Sequence, residues 1–260
     1  MTITSGTERT ARAATFQGNG GDYERYRPGF PAEAVRAIRE AAGGQLRRVL
    51  DVGAGTGKLT EALVPAAHSV GAVDPSGNML AQLHRKLPAV RTWIGSAEAL
   101  PLPEASEDVI TVAQAFHWFD RDAACAEFTR VLVPGGTLAL VWTLPDPACE
   151  WDRACFSIVA PPRSATPVGT PSAASAGRLQ APLPGFAARG ITRVAWSERV
   201  SRADYLRRFS TYSAVLAASE EGRAELFRRM EAVLDSHPET RGRTVLTVRH
   251  VTEVEAYRAA

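Results

Sequence analysis

The sequence predicts a doubly wound α/β fold, in which a mostly parallel sheet carries helices on both faces. Two observations indicate it. Short apolar runs alternate five times with stretches of helical periodicity between residues 48 and 142. Two further strand-like runs follow at 191–200 and 243–257, which brings the expected sheet to seven strands. Ligands of such sheets bind beyond the carboxyl ends of the strands, so the residues that follow each strand are the first candidates for a site.

The individual elements follow from local signals. Pro31 suits the first turn of a helix, and Ala34, Val35 and Ile38 share one helical face before a Gly43-Gly44 stop. Arg48 to Val52 is an apolar run closed by glycine, as expected of a buried strand. The other predicted strands are 69–73, 90–94, 108–113 and 137–142, and the other predicted helices are 57–67, 76–87 and 120–131.

The chain changes character after residue 144. Up to residue 184 the chain is rich in Ala and Ser and is interrupted by prolines at 161, 162, 167, 171, 182 and 184, which predicts a long surface insertion or lid. A strand at 191–200, helices at 203–218 and 220–236, and an alternating strand at 243–257 follow. We expect this last strand to pair antiparallel at the edge of the sheet.

Composition excludes several classes of protein. The chain has 260 residues, of which 45% are hydrophobic and 22% charged, as in an ordinary globular protein. Its net charge of +2 gives no large field for a polyanion, so no nucleic-acid partner is expected. Three cysteines without CxxC spacing predict neither disulfides nor a zinc site, and no metal site is expected elsewhere. Without an export signal or a long apolar run, we expect a cytoplasmic protein with no membrane partner.

The most informative segment is VLDVGAGTGKLT at 49–60, where glycines directly follow the first strand. Its spacing matches neither the dinucleotide fingerprint GxGxxG nor the phosphate-binding GxxxxGK[ST]. Asp51 would repel a pyrophosphate but attract an ammonium group. Asp74 ends the second strand, where a carboxylate can chelate a ribose diol. An ammonium group and a ribose together describe an adenosyl amino acid, although Asp51 alone is equally explained as a strand-end acid or a helix cap.

With these motifs in order, the chain resembles the class I S-adenosylmethionine-dependent methyltransferases, and in particular their type 11 small-molecule group. The resemblance extends from Tyr23 to Trp142. It rests on the glycine segment and on three further motifs, VGAVDPSGNML (70–80), GSAEALPLPEASEDVITVAQAFHWF (95–119) and RVLVPGGTLALVW (130–142). It implies a Rossmann-like fold with a helical cap or lid.

The resemblance implies a cofactor site for S-adenosyl-L-methionine, with S-adenosyl-L-homocysteine as product. Glu98 with its two predecessors would meet the adenine edge, where Ser96 departs from the more frequent aspartate and is a weaker acceptor for the adenine amine. The N-terminal string YERYRP (23–28) would fold over the cofactor, with Arg27 on the methionine carboxylate. The implied cofactor residues are Arg27, Asp51, Gly53, Gly55, Gly57, Asp74, Met79, Ser96, Ala97, Glu98 and Gln114.

Fewer sequence features indicate which residues bind the methyl acceptor. His117 follows the fourth strand, and histidine is the side chain that titrates nearest neutrality, so it is the candidate base, with Tyr23 as a relay partner. His117 is equally explained as a packing and hydrogen-bonding residue, and Tyr23 as a residue that covers the cofactor. Aromatic walls and cap residues are expected from Tyr26, Trp118, Trp142, Tyr212 and Ser213.

The expected reaction is an in-line SN2 methyl transfer to a small molecule. An aromatic or heteroaromatic specialised metabolite is favoured, with C-, N- and O-methylation all open and the indole C3 as one example. The alternatives are a nicotinamide-dependent oxidoreductase and a non-catalytic protein that binds S-adenosylmethionine. We expect a single domain over 1–260, divided into a cofactor-covering segment (1–30), a cofactor-binding core (31–144), a lid and cap (145–240) and a terminal strand (241–260).

Overall fold

The structure is a computed structural model that describes residues 20–160 and 182–260. For Ser213 it describes the backbone but not the side chain. The N-terminal part of the 1–30 segment and most of the expected proline-rich lid therefore lie outside the described residues. The strands are β1 Arg48–Val52, β2 Ser69–Asp74, β3 Arg91–Ile94, β4 Glu107–Ala113, β5 Leu132–Pro145, β6 Phe186–Ser201 and β7 Val245–Ala259. The helices are α1 Gly20–Tyr26, α2 Ala32–Ala41, α3 Lys58–Leu63, α4 Gly77–Lys86, α5 Arg121–Val131, α6 Glu150–Val159, α7 Arg202–Phe209, α8 Ser213–Leu216 and α9 Glu220–Ser236, with a 3₁₀ turn at Phe116–Trp118.

The seven strands form one sheet in the order β3-β2-β1-β4-β5-β7-β6. Strands β1 to β5 pair in parallel and the last strands are antiparallel, which confirms the predicted fold class. The expectation that the terminal strand lies at the sheet edge is wrong, because β7 lies between β5 and β6. Most of β7 is buried, whereas β6 buries no residue and carries several charges, as edge strands commonly do.

The chain divides into two compact units. The larger unit contains the described residues 28–143, 182–194 and 252–260, and the smaller unit contains 20–27, 144–160 and 195–251. The single-domain division expected from the sequence stays a prediction.

In the larger unit, alternation along the strands buries both faces of the sheet. Leu50 and Ile110 pack on one face with Phe128 of α5. Their neighbours Val49 and Val109 point to the other face and pack in the cluster that contains Ile38, on α2. Side chains of consecutive strand residues point to opposite faces, so helices are required on both. Since the strand order reverses between β1 and β4, the carboxyl ends of these strands are where a ligand crevice is expected.

The smaller unit has its own apolar core, built from helices and the ends of long strands. Trp151 and Cys155 from α6, Tyr205 from α7 and Met230 from α9 are fully buried together. The proline content of 145–184 did not predict α6, which occupies residues 150–159 of that stretch.

Strand β5 is longer than predicted. Pro134-Gly135-Gly136 was expected as a turn before a strand at residue 137, but these residues lie within β5. Gly135 has φ 71°, and the pairing with β4 shifts between Glu107 and Val109, so the segment forms an irregularity in the strand. Among the described helices, none is long and apolar enough to cross a membrane.

Candidate functional site

The glycine turn after β1 is tightly packed. Gly53, Gly55 and Gly57 have φ values of 67°, 57° and 80°, a left-handed backbone that only glycine adopts without strain. A Cβ on Gly53 would lie 2.7 Å from the Cβ of Ala115 and 3.1 Å from the Phe119 ring. The turn therefore keeps a bare backbone where β1 meets the segment that follows β4.

Asp51 is a buried carboxylate at the end of β1, 1% exposed. It accepts hydrogen bonds from the hydroxyls of Thr60, at 2.6 Å, and Thr111, at 3.0 Å. Burial raises the pKa of Asp51 to about 6, and the two threonine hydrogen bonds oppose that rise. Among the described residues no arginine, lysine or histidine pairs with it. At neutral pH the site therefore holds a negative charge without a counter-ion.

Asp74 ends β2 and ties two backbone segments together. Its Oδ2 accepts from the Gly55 N–H and its Oδ1 from the Ser76 N–H, both at 2.8 Å. Burial raises its pKa, and the two backbone hydrogen bonds oppose that effect. An ionised carboxylate offers about four acceptor positions, so two remain for a ligand.

Met79, the third residue of α4, lies beside the same turn. Its Sδ would be 3.4 Å from a Cβ on Gly55, and its side chain is buried. The Ser76 hydroxyl caps this helix by accepting from the Met79 N–H. Gly55 thus lies next to both Asp74 and Met79, as the resemblance implies for a ribose and adenine site.

The loop after β3 carries the residues implied for the adenine edge. Ser96 makes a small bridge to Ala99, and Ala97 is buried in the core. The Glu98 carboxylate accepts from the Asp120 N–H at 2.8 Å, just before α5. One oxygen of the Glu98 carboxylate is therefore used in a hydrogen bond to the residue that precedes α5.

Gln114 directly follows β4 in a strained conformation. Its φ is 56°, uncommon for a residue other than glycine and characteristic of functional sites. Its side-chain amide donates to the Thr143 carbonyl at 2.9 Å. The amide nitrogen is thereby fixed, and this orients the side-chain oxygen.

His117 lies in the 3₁₀ turn after β4, beside two tryptophans. Its ring centroid is 4.6 Å from Trp118 and 5.7 Å from Trp142. The His117 Nδ1 is buried without a hydrogen-bond partner in the described structure, and burial lowers the pKa of His117 to about 4. The imidazole is therefore neutral at neutral pH, the form that can accept a proton. Its role as a base stays a prediction.

The remaining predicted residues belong to the smaller unit. The Arg27 guanidinium carbon lies over the rings of Tyr23 and Tyr212, 5.3 Å and 3.7 Å from their centroids. The Tyr26 hydroxyl accepts from Arg207 at 3.4 Å. The side chain predicted at position 213 lies outside the described residues.

Sequence reasoning missed the residues that hold Asp51. Thr60 lies on the buried side of α3, and Thr111 lies opposite Asp51 in the register of β1 and β4. Only the strand pairing shows the second contact, so no local signal could have identified it. Thr56, in the glycine turn, is 1% exposed, and its hydroxyl has no hydrogen-bond partner in the described structure.

These features fit an adenosyl amino acid. The bare glycine backbone allows close approach, Asp51 complements an ammonium group, and Asp74 retains acceptor positions for ribose hydroxyls. The negative charge of Asp74 lies close enough to Asp51 to contribute to the raised pKa of Asp51. Among the described residues, no cluster of three histidine, cysteine or acidic side chains has the arrangement of a metal site.

Comparison with known proteins agrees with this chemistry. A family model described as a methyltransferase domain, Methyltransf_11, matches residues 50–140. The uncharacterised methyltransferase Rv3342 of Mycobacterium tuberculosis is 36% identical over 232 residues, which cover 89% of this chain and 90% of that protein. The uncharacterised methyltransferase C25B8.09 of Schizosaccharomyces pombe is 36% identical over 56% of this chain and 59% of its own length.

Among solved structures, one described as a type II methyltransferase from Anaeromyxobacter dehalogenans aligns with a TM-score of 0.63 and 26% identity. The alignment covers 90% of this chain and 97% of that one. The chain therefore belongs to the class I S-adenosylmethionine-dependent methyltransferases, in the type 11 group.

Proposed function

We propose that this methyltransferase acts on a small aromatic or heteroaromatic acceptor, with the cofactor held at the carboxyl ends of β1 and β2. The pair of buried carboxylates beside the glycine turn carries the cofactor site, and the two tryptophans beside His117 carry the proposal for the acceptor. Asp51 is ionised at neutral pH without a counter-ion among the described residues, and Asp74 is aimed by the Gly55 and Ser76 amides. A cationic amino acid joined to a ribose satisfies both.

Different residues of the chain bind different parts of the cofactor. S-adenosylmethionine supplies an electrophilic methyl group on a sulfonium. Asp51 pairs with the ammonium group, Asp74 accepts from ribose hydroxyls, and the Met79 side chain lies against the adenine. Ser96, Ala97 and Glu98 border the adenine edge, and Gln114 contacts the amino-acid part of the cofactor.

His117 is the proposed contact to the acceptor. Its neutral imidazole can accept a hydrogen bond or a proton from the acceptor as a new bond to carbon, nitrogen or oxygen forms. Its unpartnered Nδ1 supports this role, since a buried polar atom costs free energy until a partner satisfies it. Tyr23 remains the proposed relay partner.

The two tryptophans beside His117 support a planar acceptor. Trp118 and Trp142 present large apolar surfaces within 6 Å of the imidazole, and such surfaces exclude water and stack on aromatic rings. An indole that is methylated at C3 is one acceptor of this kind. The proposed location is the cytoplasm, supported by Cys125, Cys149 and Cys155, which are all buried as free thiols.

Isothermal titration with S-adenosylhomocysteine tests the cofactor site. D74N should weaken binding at least about tenfold, because the carboxylate that accepts from the ribose loses its charge. D108N is the matched control, because it is the same substitution at a partly exposed aspartate. Asp108 lies at the start of β4 and pairs with Arg48. Equal affinities in D74N and D108N would contradict the proposed site.

The same titration with NADH tests the alternative that the protein is a nicotinamide-dependent oxidoreductase. The glycine spacing and the Asp51 charge both disfavour a pyrophosphate, so no binding is expected. Methyl transfer from radiolabelled S-adenosylmethionine to a panel of indoles, phenols and aromatic amines then tests the acceptor class. Label transfer only to aliphatic acceptors would overturn the proposal for an aromatic substrate.

A further inference from the structure

We propose that the larger unit carries a second binding site, at the amino ends of β1 and β4, for a small ligand that bears a phosphate or pyrophosphate group. The inference goes beyond the proposed function, which assigns no residue of this site to the cofactor or the acceptor. The cofactor residues follow the carboxyl ends of β1 and β2, whereas this site contains Arg48, the first residue of β1. At about 3.3 Å per residue, the two ends of β1 lie about 13 Å apart.

A cavity of about 690 Å³ opens at the amino ends of these strands, within the larger unit. Its volume is in the range of small-molecule sites, about 300–1,000 Å³. Leu46 and Ala66 contribute apolar surface to it. Its polar and charged lining consists of Arg39, Gln45, Arg47, Arg48, His68 and Asp108. Three arginines against one carboxylate give the cavity an excess of positive charge, although the whole chain is nearly neutral.

The one acid in the cavity is committed to one of the three arginines. The Arg48 guanidinium donates to both oxygens of Asp108, from Nε at 2.8 Å and from Nη2 at 3.3 Å. The hydrogen bond from Arg48 lowers the pKa of Asp108, so the carboxylate is ionised and the pair is neutral as a whole. The charges of the other two arginines remain.

Arg39 and Arg47 have no acidic partner within hydrogen-bond distance among the described residues. The Arg47 Nε donates to the side-chain oxygen of the uncharged Gln45 at 2.9 Å. This bond orients the Arg47 guanidinium and leaves its two Nη groups for a ligand. Two N–H donors on one edge of a guanidinium match two oxygens of a phosphate group. The exposed imidazole of His68 adds a further N–H donor to the lining.

Backbone hydrogen bonds fix the segments that carry these side chains. Gly43 and Gly44 have φ values of 80° and 96°, which allow a sharp turn after α2. The Gly44 N–H donates to the Arg39 carbonyl at 2.8 Å, and the His68 N–H donates to the Leu46 carbonyl at 2.8 Å. The backbone of the cavity is therefore preorganised, which reduces the entropy lost when a ligand binds.

The end of α2 explains only part of this positive charge. Arg39 lies in the last turn of the helix, where the helix dipole favours a cation. Arg47 lies outside the helix, so the dipole does not account for it. The N–H groups of Ala42 and Gly44 also satisfy the carbonyls of Ile38 and Arg39, so the helix end needs no arginine as a cap. An anionic ligand accounts for both guanidinium groups.

Isothermal titration with pyrophosphate tests the site on the full-length protein, in the presence of saturating S-adenosylhomocysteine. The wild type should bind pyrophosphate with a Kd below about 1 mM and at least about tenfold more tightly than acetate. R39Q and R47Q should each weaken this binding about tenfold, because each removes charged donors. D108N should instead tighten it about threefold or more, because it releases Arg48 from its pair.

R36Q is the matched control, because Arg36 also lies on α2, is exposed and pairs with Glu33. It removes the same charge from the chain but should change pyrophosphate affinity less than about twofold. Equal losses in R36Q and R39Q, or no binding below about 1 mM in the wild type, would overturn the proposal. Pyrophosphate binding that occurs only without S-adenosylhomocysteine would also overturn it, since the anion would then occupy the cofactor site.

Titration with ADP and adenosine, again with saturating S-adenosylhomocysteine, distinguishes the two sources of the phosphate group. Binding of ADP at least as tight as that of pyrophosphate, without binding of adenosine, would support a nucleotide. Tighter binding of pyrophosphate than of ADP would support a free phosphate compound. Equal affinities for ADP and adenosine would show that the phosphates are not recognised and would contradict the proposal.

Discussion

Asp51 and Asp74 of the larger unit differ from Glu198 of the smaller unit in the groups that hold each carboxylate. In the larger unit, Asp51 accepts from the hydroxyls of Thr60 and Thr111, and Asp74 accepts from backbone amides. In the smaller unit, Glu198 lies 2.6 Å from the Arg208 guanidinium and 2.8 Å from His250. Burial tends to raise the pKa of each acid, but the basic partners of Glu198 bring its pKa below the usual value.

A cationic partner changes what such an acid contributes to stability. A buried acid with a cationic partner stabilises the local structure once both are in place, and loss of one partner leaves the other charge uncompensated. A buried acid without such a partner costs stability, and a cationic ligand recovers that cost. Glu198 has its cationic partner within the protein, whereas the proposed function assigns Asp51 to the ammonium group of the cofactor.

Removal of Glu198 should have the largest effect on stability. E198A leaves Arg208 buried without a counter-ion, so the free energy of unfolding should fall by about 3–5 kcal/mol. Denaturant titration measures it. E225A is the control, because Glu225 pairs with Arg228 on the exposed surface and should change stability by less than about 1 kcal/mol. Similar losses in the two variants would remove the distinction between compensated and surface pairs.

Replacement of His117 should affect turnover rather than cofactor binding. H117A should lower kcat about 100-fold with the acceptor found in the transfer screen, because the acceptor loses its hydrogen-bonding partner. The affinity for S-adenosylhomocysteine should stay within about twofold. H84A, which changes an exposed histidine on α4, should leave both quantities unchanged. An unchanged kcat in H117A would remove this residue from the mechanism.

Replacement of Asp51 should weaken cofactor binding without lowering stability, whereas replacement of Glu198 should lower stability. D51N should weaken S-adenosylhomocysteine binding about tenfold, yet it should not lower stability at pH 8, because it removes a buried charge and the threonine hydroxyls can reorient. Titration calorimetry and denaturant unfolding on the same sample measure both effects. A loss of stability comparable to that of E198A would place Asp51 among the structural acids.

The pH dependence of stability should also identify Asp51. Its pKa of about 6 in the folded protein exceeds the unfolded value of about 3.9, so the folded state binds more protons between pH 4 and 6. This group therefore makes the free energy of unfolding fall as pH rises through that window. D51N should lose that contribution to the slope, and an unchanged slope would show that Asp51 titrates normally.

The smallest expected effect concerns the pH profile of turnover. With a His117 pKa of about 4, the rate should vary less than about twofold between pH 6 and 8. Initial rates at saturating cofactor test this. A tenfold fall per pH unit below 6.5 would show that the imidazole titrates at its ordinary value and lies in a more polar environment.

The larger unit could be predicted from sequence because its signals are local. The glycine turn, the apolar strands and the strand-end acids are each encoded within a few residues, and the strand and helix positions agree within a few residues for most elements. The threonine contacts to Asp51 and the low pKa of His117 arise from residues distant in sequence, which packing alone brings together.

The smaller unit was harder to predict because side-chain contacts override helical periodicity. Residues 203–218 were expected as one helix, but the structure has α7 and α8 with a break at 210–212. Within the break, the N–H groups of residues 210–212 donate to carbonyls three residues back, and the hydroxyls of Ser210 and Thr211 donate to the same carbonyls as their own N–H groups. Arg27, 184 residues away, then binds Thr211.

Proton release on cofactor binding tests most directly whether Asp51 is an uncompensated charge reserved for an ammonium group. Titration with S-adenosylhomocysteine at pH 6, in two buffers of different ionisation enthalpy, measures the number of protons released. Because the Asp51 pKa is about 6, up to about half a proton should leave per ligand bound at pH 6, and almost none at pH 8. D51N should abolish the release at pH 6. Absence of release in the wild type, or equal release in D51N, would contradict the account.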